Sequence, residues 1–266
     1  MPFFITSIAL EYYKELKAMA IFRDNLWTTF LPKPIQETTL KEGVELFGNK
    51  NNFNKYVQDF NEYKKRSIKF FEEIISKEKI SKEELKKFFD LISELWFFYR
   101  KTEFFYVDNA YRESQKDKTT AENLKHLEEI KNSGREHMNK MIFGSSSYLT
   151  KAAAIISKQF NVDIDNLFWI SKMEILTLYD KVQIDISKIK EKKDAYVFLI
   201  RNGDLITFDG AKAKNFISSF VIKESKDVIR GTIANTGKVK GKAKVLFYGA
   251  DTFDKVSKMM KEMKEG

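Results

Sequence analysis

Residues 194–210 read DAYVFLIRNGDLITFDG, and here the hydrophobic period of the chain changes. YVFLI (196–200) and LITF (205–208) are rich in β-branched and aromatic residues, with Arg201-Asn202-Gly203-Asp204 between them. Asn and Gly both tolerate positive φ at the centre of a tight turn, so the stretch predicts a β-hairpin. AKAKNFISSFVI (211–222) predicts a short helix leading out of it.

Upstream of the hairpin the apolar residues recur three or four apart, and residues 1–182 predict a helical domain of five to seven helices. Glu11 to Asn25 follows a helical pattern that FLPKPIQ (30–36) ends, because Pro32 and Pro34 cannot continue a helix. KEGVELFGNKNN (41–52) reads as loop, and Tyr56 to Ile75 as helix. Ser81 and Glu84 have the spacing of a capping box, as do Ser171 and Glu174, while Thr119 and Glu122 suggest a third cap. The helix after Ser81 is expected to run toward Arg112 with a break near Asp108 and Asn109. Its middle, LWFFYRKTEFFYV (95–107), is apolar on more than one side, as suits the centre of a bundle.

The 266 residues are 43% hydrophobic and 14% aromatic, enough for a sizeable core. Cysteine is absent, which excludes disulfides, thiolate nucleophiles and cysteine metal sites and points to a reducing, cytoplasmic compartment. The opening MPFFITSIALEYYKELK has no basic leader, and no run reaches the roughly eighteen apolar residues of a membrane span. The formal charge is +9, but lysines alternate with glutamates along most of the chain, the pattern of a solvated face.

Motif-coded chemistry is sparse. The two histidines, His126 and His137, lie eleven residues apart. On one continuous helix that spacing would separate them by about 16 Å, too far to share a metal. HExxH, GxSxG and GxxxxGK[ST] do not occur, so motif-coded zinc proteases, α/β-hydrolases and P-loop enzymes gain no support. Glu72/Glu73, Glu83/Glu84 and Glu128/Glu129 read as polar helix faces. Asp163, Asp165 and Asn166 lack the phased ligands of a calcium loop and read as capping residues. Gly144-Ser145-Ser146-Ser147 offers three hydroxyls that suit a turn or close helix packing better than a phosphate site. No catalytic, cofactor-binding or metal-binding residue is assigned.

Residues 225–266 carry ten Lys or Arg against five Asp or Glu. Lys238, Lys240, Lys242 and Lys244 alternate with Val239, Gly241, Ala243 and Val245, so a strand there would have one basic and one small apolar face. RGTIANTGKVKGKAKVLF (230–247) resembles the opening of the mobile, swivelling phosphohistidine domain of the PEP-utilising enzymes, the group of phosphoenolpyruvate synthase (pyruvate, water dikinase) and pyruvate phosphate dikinase. Gly231, Gly237, Gly241, Ala243 and Val245 match the family positions, with Asn235-Thr236 where serine-proline is common. Asp165, Leu167, Phe168, Ile170, Ser171 and Glu174 resemble a phrase of that family's helical linker, D-x-L-F-x-L-T-x-x-E.

Joined to the helical bundle that the periodicity gives over 1–182, the resemblance, covering about residues 120–266, implies a helical linker, a β-hairpin with a short helix (183–224) and a partial swivelling β/α domain (225–266). It implies a phosphotransferase relay using ATP and Mg, in which an ATP-grasp domain phosphorylates a histidine in a T-x-G-G-x-x-x-H-x-A loop. Neither His126 nor His137 stands in such a loop. The chain is therefore expected to be a non-catalytic fragment, a split subunit or a vestigial protein, binding no cofactor alone. Its expected partners are a second chain with the rest of the mobile domain, an ATP-grasp protein, or a second copy. The alternative is a protein- or polyanion-binding module using the basic C-terminal strip, with neither membrane nor nucleic acid as the expected partner.

Overall fold

The computed structural model describes residues 3–220, which form one compact unit. The calls on residues 225–266, including Gly231, Gly237, Gly241, Ala243, Val245 and the four alternating lysines, lie outside the described residues. The chain begins with α1 (Phe3–Ile8) and α2 (Leu10–Glu15), then β1 (Met19–Arg23) and β2 (Leu26–Phe30). A helical run follows: α3 (Lys33–Gly48), α4 (Lys50–Ile75), α5 (Lys82–Tyr99), α6 (Phe104–Glu113), α7 (Lys118–Lys125) and α8 (Leu127–Met138). After these come α9 (Tyr148–Phe160), α10 (Ile164–Leu167), α11 (Lys172–Thr177) and α12 (Ile186–Asp194). The described part closes with β3 (Ala195–Arg201), β4 (Asp204–Asp209) and α13 (Gly210–Phe220). The fold is mainly helical, as the periodicity predicts, with eleven described α-helices rather than five to seven between Phe3 and Thr177, and it carries a small antiparallel sheet.

The hairpin forms where expected, with Asn202 at φ 55° and Gly203 at φ 85°. It does not stand apart from the first 182 residues. β3 pairs on its other side with β1, Met19 opposite Leu199 and Arg23 opposite Ala195, giving the strand order β2-β1-β3-β4. The helix expected over Glu11–Asn25 is therefore corrected: it ends at Glu15, Lys17 takes φ 47°, and Asp24-Asn25 turns at φ 52° and 59°. The physical reason is double burial. Met19 to Phe22 are all buried because helices cover both faces of the sheet, so no polar alternation betrays the strand.

Three smaller expectations also shift. Pro32 and Pro34 start a helix: Pro32 is the N-cap of α3 and Pro34 sits in its first turn, where a missing N–H costs nothing. KEGVELFG is thus helical. The long central helix breaks at Arg100–Glu103, where Thr102 Oγ1 donates to the Tyr99 carbonyl at 2.8 Å, earlier than Asp108. Asp117, not Thr119, caps α7; its carboxylate accepts the Thr120 N–H at 2.6 Å. Both predicted Ser/Glu capping boxes form. Ser81→Ala is expected to cost about 1 kcal/mol, measurable as a shift of the urea midpoint with unchanged slope.

Aromatic rings fill the bundle. Phe71 and Phe88 meet edge to face at 4.4 Å, and the Tyr63 hydroxyl donates to the Leu91 carbonyl at 2.6 Å. Phe3 and Tyr13 from α1 and α2 pack on Tyr196 and Phe198 on one sheet face, while Ala213 and Ile217 of α13 cover Met19, Ile21 and Val197 on the other. No described helix is long and apolar enough to cross a membrane.

Candidate functional site

The phrase from Asp165 to Glu174 folds at the place where helices meet sheet. Leu167 and Ile170 are buried, and Phe168 packs on Phe4 of α1. Ser171 caps α11, and its own N–H donates to Glu174 Oε2 at 2.6 Å. Glu174 then reaches across to α12, where Lys192 Nζ donates to both carboxylate oxygens at 3.1 and 3.0 Å. The Lys192 side chain is only 6% exposed, and its ammonium stands 4.3 Å from the centre of the Phe3 ring, a cation–π contact. Burial pushes the Glu174 carboxyl up, but the Ser171 N–H and Lys192 outweigh it and hold it below the ordinary carboxylate value.

Glu174 and Lys192 both line a groove of about 970 Å³ that includes residues of the edge strand β4. Phe3, Leu10 and Phe198 give its lining an apolar part, to which the exposed Leu205 and Met173 add. Asp209, the last residue of β4, contributes a carboxylate whose Oδ1 is buried and has no hydrogen-bond partner. Burial raises the Asp209 pKa, Glu174 and Glu191 add to the rise, and Lys192 and Lys188 oppose it. Lys172, half-buried, also lines the groove; burial lowers its pKa, Asp90 and Glu11 oppose that, and it makes no direct ion pair among the described residues. Lys188, Lys190 and Lys212 line the rim. Gly210, at φ 54°, lets α13 begin close to α12: a β-carbon there would sit 3.1 Å from Glu191 Cβ.

The residues weighed in the sequence fall elsewhere. His137 is 5% exposed, with Nε2 3.3 Å from Ser67 Oγ and its ring against the edge of Tyr63. Burial, with Lys64 and Lys140 nearby, pulls its pKa down to about 4, so it is a neutral core histidine at physiological pH. His126 ends α7, exposed, near the Phe53 ring. Ser147 is buried, caps α9 and donates to the Ile142 carbonyl at 3.0 Å, while Ser145 and Ser146 are exposed in the turn before it. Asp163 caps α10. Glu72 accepts the Tyr148 hydroxyl at 2.9 Å, and Lys77 with Ser81 draws Glu84 down to about 2. Among the described residues no group of three or more acidic or histidine side chains could hold a metal ion.

Sequence reasoning did not single out Lys192, Asp209 or Lys172. Lys192 sits in the run KIKEKKD, where lysine reads as solvated surface. One signal was present: Lys192 is three residues after buried Ile189 and so shares its inward helix face. Comparison of the chain with protein-family models, with curated proteins and with solved structures finds no match.

Proposed function

We propose that residues 3–220 are the supporting body of a phosphoenolpyruvate synthase-like phosphotransferase, holding a swivelling segment that begins near residue 225 without carrying the phosphoryl group itself. The observation that carries this reading is the Ser171–Glu174–Lys192 junction. The residues that resemble the family's linker phrase are the ones that tie the bundle to α12, the helix feeding the hairpin. A swivelling segment needs a rigid base, and a half-buried, doubly hydrogen-bonded ion pair on the helix before the hairpin supplies one. The burial of His137 also favours a supporting role, because a phosphoryl acceptor must be reached by nucleotide. ATP and Mg would be bound by an ATP-grasp partner, and the phosphohistidine would stand in a further segment or second chain.

The test is to mix the full chain with an ATP-grasp protein and a polypeptide bearing the histidine loop, then supply ATP and Mg. Acid-labile phosphoryl is expected on the loop histidine, at least severalfold faster when this chain is present and equally fast with His126→Gln. Label on His126 or His137, or labelling independent of this chain, would overturn the reading.

A further inference from the structure

We propose that Asn202-Gly203, the tip of the β3–β4 hairpin, is a self-acting modification site: the Asn202 amide cyclises onto the Gly203 nitrogen, water opens the ring to isoaspartate, and the product loosens the ladder next to the turn. The inference is independent of the phosphotransferase reading. In the whole sequence this is the sole Asn-Gly pair. A β-carbon on the residue after an asparagine is the steric obstacle to such a ring closure, and glycine lacks it.

The step balances without an enzyme, metal or oxidant. The Gly203 nitrogen attacks Asn202 Cγ, the Cγ–Nδ2 bond breaks, and ammonia leaves with the Gly203 amide proton. Water then adds across one C–N bond of the cyclic imide. Cleavage between the Gly203 nitrogen and Cγ restores the main chain as aspartate; cleavage at the original peptide carbon leaves the chain running through Cβ and Cγ as isoaspartate. The net change is amide plus water to carboxylate plus ammonium.

The fold leaves this tip free to react. Residues 201–205 are all exposed, and a β-carbon placed on Gly203 would meet nothing within 4 Å, so the peptide plane has room to turn toward the side chain. The Gly203 N–H makes no backbone hydrogen bond among the described residues, and turning it breaks none. Asn132-Ser133 is the contrast: it lies inside α8, where the helical ladder holds the peptide plane, and Lys64 Nζ donates to Ser133 Oγ at 2.8 Å.

The consequence follows from the loop length. Asn202 at φ 55° and Gly203 at φ 85° make a two-residue turn that sets Arg201 opposite Asp204 and Ile200 opposite Leu205. Isoaspartate adds a backbone carbon to that turn and a carboxylate beside Asp204, so the turn no longer matches the strands it joins. β4 is an edge strand, and only β3 pairs with it among the described residues. Rungs with one neighbour open first.

The test is to incubate the full folded chain at about pH 8 and 37 °C and follow its Lys-C peptides by mass. Peptide 194–212 should gain about 1 Da, located at Asn202, at least tenfold faster than peptide 132–140, which carries Asn132. Isomerisation of Asp209 in the same peptide changes no mass and is not scored. Asn202→Gly, whose Gly-Gly turn keeps the hairpin, should show no gain. Hydrogen exchange over residues 199–208 should be at least about threefold faster in the isolated isoaspartate form than in fresh chain, and ageing should leave Asn202→Gly unchanged. No gain at Asn202 over several weeks, a rate no greater than that of peptide 132–140, or an isoaspartate form that exchanges like fresh chain overturns the proposal.

Discussion

Gly43→Ala is expected to lower the melting temperature by roughly 6–12 °C, a loss of about 3 kcal/mol. Gly43 lies in α3 where α6 crosses it, and a β-carbon placed there would stand 1.6 Å from the Tyr106 carbonyl oxygen and 2.7 Å from its carbon. The obstacle is backbone, not the free end of a side chain, so the helices must part by roughly 1.5 Å or more to restore an ordinary carbon–oxygen contact. Parting them opens space around Tyr106 and Val107, both buried, and the gain in helix propensity of about 1 kcal/mol for alanine is too small to offset it. Gly134→Ala is the control. A β-carbon there meets Phe60 and Tyr99 at 3.6 Å, ordinary contact, so the substitution should be neutral or stabilising by up to about 1 kcal/mol. Thermal unfolding of both variants checks the pair; a Gly43→Ala chain that melts with the parent would show that the two helices do not cross as described.

That glycine shows where sequence reading stops. KEGVELFG offers Gly43 as a reason to write a loop, whereas its missing side chain is what admits the neighbouring helix. Local chemistry was legible wherever it was complete within a few residues: both Ser/Glu capping boxes and the Asn202-Gly203 turn are written in adjacent side chains. β1 was not legible, because a strand buried on both faces has the same apolar run as a buried helix and only its pairing with β3 distinguishes them. The groove was hidden for a related reason. Lys172, Lys192 and Asp209 come from three segments, and only the three-residue spacing from Ile189 sets Lys192 apart from the other lysines of KEKKD. Burial and pairing are tertiary quantities, and a charged residue acquires them from partners distant in sequence.

Lys192→Met should cost about 2–3 kcal/mol at pH 7, and the cost should shrink in acid. Removing one member of a buried pair leaves the other charge without compensation, a loss of about 3–5 kcal/mol in a dry interior. The Glu174 side chain is 39% exposed, so water recovers part of that. In the parent chain the Glu174 carboxyl is held below its ordinary value of 4.5, and its contribution to stability is present above that pH and lost as pH falls through the lowered value. Without Lys192 the burial that raises Glu174 is no longer outweighed by the ammonium, and Asp209, already raised by burial, loses an opposing charge. Ser171 still lowers Glu174, but both carboxyls then titrate higher than in the parent, so acidification costs the variant less stability than it costs the parent. Urea unfolding of the two chains from pH 7 down to pH 4 should show the stability gap closing. A gap that stays constant or widens across that range would mean that the lysine contributes through its hydrocarbon stem against Phe3 and not through its charge.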